Sequence, residues 1–256
     1  MTAKIPWVGT SWKMHKTMAE ARAFAAELGR SAFAASDAVK TFVVPAFPSI
    51  ATVAGVLAGT RVLIGAQNMH WEDEGAWTGE VSPLMVTDCG AELVELGHSE
   101  RRGFFNETDE TVALKVEAAL RHGLMALICV GDTIAEYEAG ATAEVLATQA
   151  RRALARVGRQ AQGRALIAYE PVWSIGDHGV PASPEFADEQ HRRLKVVAAE
   201  VAGAELPIIY GGSVNLQNCR DFALQPHIDG LFVGRAAWDA GDFIAILDRV
   251  VGALRR

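Results

Sequence analysis

The chain has 256 residues, of which 50% are hydrophobic and 21% are charged, and its formal net charge is -7 at pH 7. This composition is typical of a folded chain with a large core and excludes an intrinsically disordered one. The negative charge argues against nucleic acid or an anionic membrane as a partner, because both attract basic surfaces.

The N-terminal residues, the apolar runs and the cysteines indicate the compartment in which the protein works. Met1 to Lys4 shows no basic stretch followed by an apolar one, and no apolar run reaches the roughly 18 residues that a membrane span needs. The three cysteines, Cys89, Cys129 and Cys219, lack the spacing of metal ligands or redox motifs. We therefore expect a cytoplasmic protein with reduced thiols.

Apolar runs rich in β-branched residues recur along the chain, with amphipathic stretches between them. This alternation is typical of parallel strands joined by helices. The runs that predict strands are, in chain order, Ile5–Gly9, Thr41–Pro45, Val62–Ala66, Leu93–Gly97, Met125–Val130, Ala165–Tyr169, Pro207–Tyr210 and Gly230–Val233.

The stretches between the strands have the composition and the caps of helices. Acidic residues of Glu107–Glu110 are predicted at the first turn of a helix that ends before Arg121, and Ser183 followed by Pro184 is a typical helix start. Further helices are predicted over Ala19–Phe33, Asp132–Val157 and Trp238–Leu254.

Eight strand-helix units in about 250 residues predict a closed (β/α)₈ barrel, known as a TIM barrel, that forms a single domain over residues 1–256. An open, doubly wound sheet is the alternative. Its usual glycine-rich turn, GxGxxG, does not follow the first predicted strand, which makes the open sheet less favoured.

Three chemically active residues follow strands one, four and six of this prediction: Lys13, His98 and Glu170. Each alone is typical of a solvated or structural residue. Together they favour catalysis, because the carboxyl ends of the strands converge on one mouth of such a barrel. A carboxylate opposite an imidazole and an ammonium group suits removal of a proton next to a carbonyl, with no cofactor.

The loops after strands seven and eight contain small residues, Gly212, Ser213 and Gly234. Backbone N-H groups exposed in such loops bind phosphate well, and this is the usual phosphate site of the fold. A metal site is not predicted, since the histidines lack HExxH or similar spacing. A serine hydrolase is equally disfavoured, because no GxSxG motif is present.

Over almost its whole length the sequence resembles the triosephosphate isomerase family. The resemblance rests on blocks in matching order and spacing, namely Trp12-Lys13-Met14, Ala66-Gln67-Asn68, Gly75 to Ser82, Gly97 to Arg102, Ile128 to Gly131, Tyr169 to Trp173 and Tyr210 to Asn215.

The resemblance implies roles for individual residues. Glu170 is expected to be the base, His98 the neutral electrophile, and Lys13, with Glu100 close by, the cation for substrate oxygen and phosphate. Trp173 is expected to begin a lid hinge. The residues expected to supply phosphate-binding N-H groups are Gly176, Ser213, Gly234 and Arg235.

A homodimer is also implied by the resemblance. The segment Asn68–Ser82 is expected to insert into a second subunit and to bring Thr78 near the catalytic residues of that subunit. No nucleic acid or membrane partner and no cofactor or metal is implied.

The sequence departs from the family pattern around the expected ligand. Ser11 stands where the family usually has Asn, the lid segment 174–182 is one residue longer and lacks the usual lysine, and Arg235 replaces the second glycine of a Gly-Gly pair. Arg235 either binds phosphate or is a surface residue that pairs with Asp239 or another acidic residue. Changes at three contacts with one small ligand favour a different ligand.

The same pattern is similar to the branch of the family that works in tetritol catabolism and interconverts L-erythrulose 1-phosphate and D-erythrulose 4-phosphate. That substrate carries one hydroxymethyl group more than dihydroxyacetone phosphate, on the carbon that loses its proton, and the small Ser11 would leave room for it. The alternatives are an authentic triosephosphate isomerase of glycolysis and gluconeogenesis, and a non-catalytic barrel that binds a phosphorylated metabolite.

Overall fold

The computed structural model of the chain describes residues 4–176 and 179–255. Eight parallel strands form a closed barrel in sequence order, which confirms the predicted (β/α)₈ fold and excludes the open sheet. The strands are β1 (Trp7–Ser11), β2 (Lys40–Val44), β3 (Leu63–Ala66), β4 (Leu93–Leu96), β5 (Met125–Val130), β6 (Ala165–Tyr169), β7 (Ile208–Tyr210) and β8 (Gly230–Val233).

Helices surround the barrel. In the described part of the chain they are α1 (Met18–Arg30), α2 (Ile50–Val56), α3 (Pro83–Asp88), α4 (Ser99–Phe104), α5 (Asp109–Arg121), α6 (Ile134–Glu138), α7 (Thr142–Leu154), α8 (Pro184–Ala202), α9 (Cys219–Ala223) and α10 (Ala240–Leu254). Within these residues, no helix combines the length and the apolar character that crossing a membrane requires.

Side-chain capping determines where several helices begin. Thr17 and Glu20 form a capping box at the start of α1. At α8 the Ser183 side chain accepts from a backbone N-H one turn on, Pro184 occupies the first turn, and Gly203 ends the helix in a left-handed conformation.

The strands are buried on both faces, so the core has two parts. The larger part lies between the outward faces of the strands and the helices. The smaller part fills the barrel interior and consists of Trp7, Phe42, Val44, Leu93, Leu127, Cys129, Leu166, Ala168, Ile209 and Phe232.

The prediction for the first strand was wrong at both ends. Ile5 is 49% exposed, and β1 runs from Trp7 to Ser11 in register with β2. Polar Thr10 and Ser11 extend the strand because both are buried within the barrel wall. Ser11 is therefore part of the strand, and its side chain has a position set by the sheet.

Three predicted helices also differ. The stretch Asp132–Val157 forms two helices, because Gly140 adopts a left-handed conformation between them. The first helix ends at Arg30 and a 3-10 turn follows, and the last begins at Ala240 after the Asp239 cap. Glu107 precedes α5 and is buried.

Glu107 lies within an ion-pair cluster instead of the first helical turn. Its carboxylate accepts from Arg101 at 2.7 Å, from Lys115 at 3.1 Å and from the backbone N-H of Gly97 at 3.0 Å. The cluster joins α5 to the segment between β4 and α4. It thus holds the backbone immediately before His98.

Gly230 permits the barrel to close. It pairs with Trp7 where β8 meets β1, and a Cβ atom at Gly230 would lie 1.9 Å from the Trp7 carbonyl oxygen.

We expect Gly230→Ala to lower the free energy of unfolding by about 3 kcal/mol or more, because the clash is with backbone. Calorimetric measurement of Tm checks this.

The matched control is Gly252→Ala in α10, where an added Cβ meets nothing within 4 Å. This change should raise stability by roughly 0.5 kcal/mol, because alanine favours helix and restricts the unfolded chain. Equal Tm values for the two variants would contradict the close-approach argument.

Candidate active site

A cavity of about 580 Å³ opens at the carboxyl end of the barrel. We call it the main cavity. It brings together most of the residues that the sequence singled out, namely Ser11, Lys13, His98, Glu100, Glu170, Gly176, Ser213, Gly234 and Arg235. A side cavity of about 200 Å³ adjoins it and shares Ser11, Lys13, Met14, His98 and Glu100 as walls.

Two expected site residues lie outside the main cavity. Thr78 is exposed on the loop between β3 and α3. The indole of Trp173 donates to Asp132 at 3.2 Å and packs against the Tyr137 ring, with ring centroids 4.4 Å apart. Trp173 therefore anchors the segment that follows Glu170. Asp177 and His178, two of the lid positions that depart from the family, lie outside the described residues.

Lys13 has an unusual backbone conformation for a residue with a side chain, with φ at 51°. Gln67 stabilises it by donating to the Lys13 carbonyl at 2.8 Å, and the Lys13 ammonium pairs with Glu100 at 2.6 Å. Strain of this kind is typical of functional sites. The turn that follows β1 places the Lys13 side chain in the wall of the main cavity.

His98 has a defined tautomer. Its Nδ1 accepts the backbone N-H of Glu100 at 3.2 Å, so a neutral ring carries its proton on Nε2. Nε2 lies 3.6 Å from Glu170 Oε1 and 3.9 Å from Glu95 Oε1. A donor therefore faces both carboxylates, at the point where a substrate oxygen could accept it.

Glu170 is 3% exposed, and its Oε2 has no hydrogen-bond partner among the described residues. A Cβ atom at Gly211 would lie 2.9 Å from Glu170 Cγ, so the glycine leaves the space that this side chain occupies. A buried, incompletely paired carboxylate oxygen is costly for the folded state. It is also suited to accept a proton from a bound molecule.

Glu95 was not identified from the sequence. It is 2% exposed, points into the barrel from β4, and accepts the Ser11 hydroxyl at 2.8 Å. Burial raises the pKa of Glu95 to about 7, and the nearby charge of Glu170 acts in the same direction, against the effects of His98, Ser11 and Lys13. A glutamate inside an otherwise apolar strand, two residues after Leu93, was the available signal.

The far side of the main cavity is lined by backbone of three loops. Gly176 has φ at 92°, and Ser213 is held by Asn218, whose side-chain N-H donates to the Ser213 carbonyl at 2.9 Å. Arg235 is exposed and begins a 3-10 turn directly after Gly234. These loops offer N-H groups and a guanidinium group to an anion.

One group of three potential metal ligands occurs among the described residues, Glu95, His98 and Glu170, with the nearest atoms within 4.8 Å of one another. The proton that the tautomer places on Nε2 of His98 opposes coordination there, because a ligating nitrogen must be unprotonated. The expectation of a metal-free site therefore stays a prediction.

A (β/α)₈ barrel with a carboxylate, an imidazole and an ammonium group at one mouth is the arrangement expected of a sugar-phosphate isomerase. The family model described as triosephosphate isomerase matches residues 6–250. The chain belongs to the triosephosphate isomerase family.

Curated relatives cover nearly the whole chain. It is 53% identical to an L-erythrulose-1-phosphate isomerase of Rhizobium rhizogenes, over 97% of this chain and 96% of the relative. Proteins of the same name from Rhizobium meliloti (97% and 98% covered) and Brucella abortus (95% and 95%) are each 52% identical.

The raised pKa of Glu95 predicts a pH-dependent stability. Between pH 4.5 and about 7 the folded chain binds the Glu95 proton and the unfolded chain releases it, so stability falls as pH rises through this range. Glu95→Gln removes the proton-linked loss and keeps an acceptor for Ser11. From pH 4 to pH 8 we expect the variant to gain roughly 3 kcal/mol relative to the unmodified chain.

Denaturant unfolding at the two pH values measures this difference. The matched control is Glu144→Gln on the exposed face of α7, which should leave the pH dependence unchanged. Parallel pH profiles for the unmodified chain and Glu95→Gln would mean that Glu95 titrates at its ordinary pKa.

Proposed function

We propose that the chain interconverts L-erythrulose 1-phosphate and D-erythrulose 4-phosphate by proton transfer, without a cofactor. The observation that carries the proposal is the convergence of Lys13, His98 and Glu170 on one cavity of about 580 Å³. Relatives that are 51–53% identical are named L-erythrulose-1-phosphate isomerases, which supports this choice of substrate.

The geometry supports a separate role for each of these three residues. Glu170 takes the proton from the carbon next to the carbonyl and becomes a carboxylic acid. The Nε2 proton of His98 and the Lys13 ammonium stabilise the negative charge that develops on the carbonyl oxygen. Glu170 then returns the proton to the neighbouring carbon, and one hydroxyl proton moves between the two oxygens, so the product is an isomer of the substrate.

The phosphate of the substrate would bind on the other side of the cavity. Backbone N-H groups at Gly176, Ser213 and Gly234 are the candidate donors, and the Arg235 guanidinium adds a fixed positive charge beside them. We propose that Arg235 takes over part of the role of the lysine that the lid segment lacks.

We also propose that two copies of the chain form a dimer. Met14 and Phe105 are 95% and 63% exposed and line the solvent-exposed end of the side cavity, its outer end. Large exposed apolar side chains beside a cavity are typical of protein contacts. Analytical ultracentrifugation of the purified chain measures the assembly, and a monomer at micromolar concentration would contradict the proposal.

Parallel assays with L-erythrulose 1-phosphate and dihydroxyacetone phosphate test the function. We expect kcat/KM for the four-carbon substrate to be higher by orders of magnitude, because kcat/KM measures discrimination between substrates. Glu170→Gln should lower kcat at least 100-fold, since it removes the base and changes shape little.

The other outcomes identify the alternatives. A higher kcat/KM for dihydroxyacetone phosphate would mean an authentic triosephosphate isomerase. Failure of the chain to exchange a substrate proton with solvent, for either compound, would mean a barrel that binds its ligand without catalysis.

Arg235→Ala should raise KM for the four-carbon phosphate at least tenfold and change kcat less, because the guanidinium contributes to binding more than to chemistry. Arg220→Ala is the control, since Arg220 is exposed on α9 and is absent from the walls of the main cavity. An unchanged KM for Arg235→Ala would favour the alternative that Arg235 is a surface residue paired with Asp239 or another acidic residue.

A further inference from the structure

The side cavity has an inner end that the proposed chemistry does not use. Its walls there are Ser11, Glu95 and His98, and of these Ser11 and His98 also line the main cavity. The inner end thus opens onto the reacting groups. Its outer end, at Met14 and Phe105, is the part that the proposed dimer would cover.

A polar pair closes the inner end. The Ser11 hydroxyl donates to Glu95 Oε2 at 2.8 Å, and both residues are buried. Glu95 Oε1 faces Nε2 of His98 at 3.9 Å, which is too long for a hydrogen bond. A carboxylate has room for about four donated hydrogen bonds, so this one retains acceptor capacity toward the cavity.

The position of Glu95 relates it to the reacting carbon. Glu170 and Glu95 both face His98 Nε2, at 3.6 Å and 3.9 Å, and the three residues have polar atoms within 4.8 Å of one another. A carbon placed to lose its proton to Glu170 must lie beside this imidazole. A substituent on that carbon then has the inner end of the side cavity as neighbouring space, with the small Ser11 beside it.

The two candidate substrates differ at this substituent. L-Erythrulose 1-phosphate carries a hydroxymethyl group on the carbon that loses its proton, and dihydroxyacetone phosphate carries hydrogen. A hydroxymethyl group has one O-H donor at the end of one carbon. It matches a short polar recess that ends in an acceptor.

We propose that Ser11 and Glu95 form the subsite for the hydroxymethyl group of the four-carbon substrate, whose hydroxyl donates to the Glu95 carboxylate. This inference rests on the proposed function and makes Glu95 a specificity-determining residue. Lys13, His98 and Glu170 act on either substrate, whereas Glu95 distinguishes them.

The subsite would favour binding of L-erythrulose 1-phosphate and disfavour binding of dihydroxyacetone phosphate. A substrate without the hydroxymethyl group leaves a buried carboxylate in contact with an unfilled recess. Sites built to hydrogen-bond a substrate hydroxyl reject analogues that lack it far more strongly than apolar pockets do. Glu95 is therefore placed to contribute discrimination that shape alone would not supply.

The experiment compares kcat/KM for the two substrates in the unmodified chain and in Glu95→Val, an apolar replacement that suits a strand. We expect kcat/KM for L-erythrulose 1-phosphate to fall at least 100-fold. That for dihydroxyacetone phosphate should not fall, because the variant removes the unpaired acceptor that disfavours the shorter substrate. Leu93→Val, on the same strand and the same inward face, is the control and should leave the ratio unchanged.

Two further measurements guard against a misfolded variant. The inhibition constant of 2-phosphoglycolate, which has a phosphate and no hydroxymethyl group, should stay within about threefold in Glu95→Val. Glu95→Gln keeps a carbonyl acceptor, so it should retain more of the discrimination than Glu95→Val.

The outcomes separate this inference from the proposed function. If the unmodified chain does not turn over L-erythrulose 1-phosphate, the proposed function is wrong. If it does and Glu95→Val lowers kcat/KM for both substrates by the same factor, or for neither, Glu95 only supports the barrel and the subsite is wrong. A selective loss for the four-carbon substrate, with rescue by Glu95→Gln, supports the subsite.

Discussion

Closure of β1 against β8 is the constraint on which the site depends. The pairing of Trp7 with Gly230 turns a row of strands into a ring, so that the carboxyl ends of all eight strands face one space. Residues more than 150 positions apart, such as Lys13 and Glu170, then line the same cavity. In an open sheet the ends of the first and sixth strands would not meet, and their side chains could not act on one small molecule.

Within that ring, the balance of buried charge determines the chemistry. Glu95 and Glu170 are both buried beside one imidazole, and burial together with their mutual repulsion raises the pKa of Glu95 to about 7. The folded state bears the cost of these groups because the large apolar core surrounds them. Lys13 and Glu100, at the edge of the same cavity, form an ion pair that is more accessible to solvent. The site thus combines a solvent-accessible ion pair, Lys13 with Glu100, with two buried carboxylates, Glu95 and Glu170.

The sequence predicted the order of strands and helices, the closed barrel and the residues that follow strands one, four and six. It was less reliable at element ends. The stretch after β5 was expected to be one helix, and Gly140 divides it; the first strand was expected to stop before Ser11, and backbone pairing extends it. Apolar runs indicate where a buried strand lies, but hydrogen bonds to neighbouring strands determine where it ends.

By itself, therefore, the sequence determined the fold class and predicted that Lys13, His98 and Glu170 share one cavity, because each is part of a short motif next to a recognisable strand. Only the tertiary structure decided that Ser11 and Glu95 are partners, 84 positions apart in sequence. The physical reason is that strands buried on both faces lack alternation of polar and apolar residues, so the sequence does not show which side chains point into the barrel. Strand register and barrel closure determine which side chains point inward, and they place the Glu95 carboxylate at the buried end of the site.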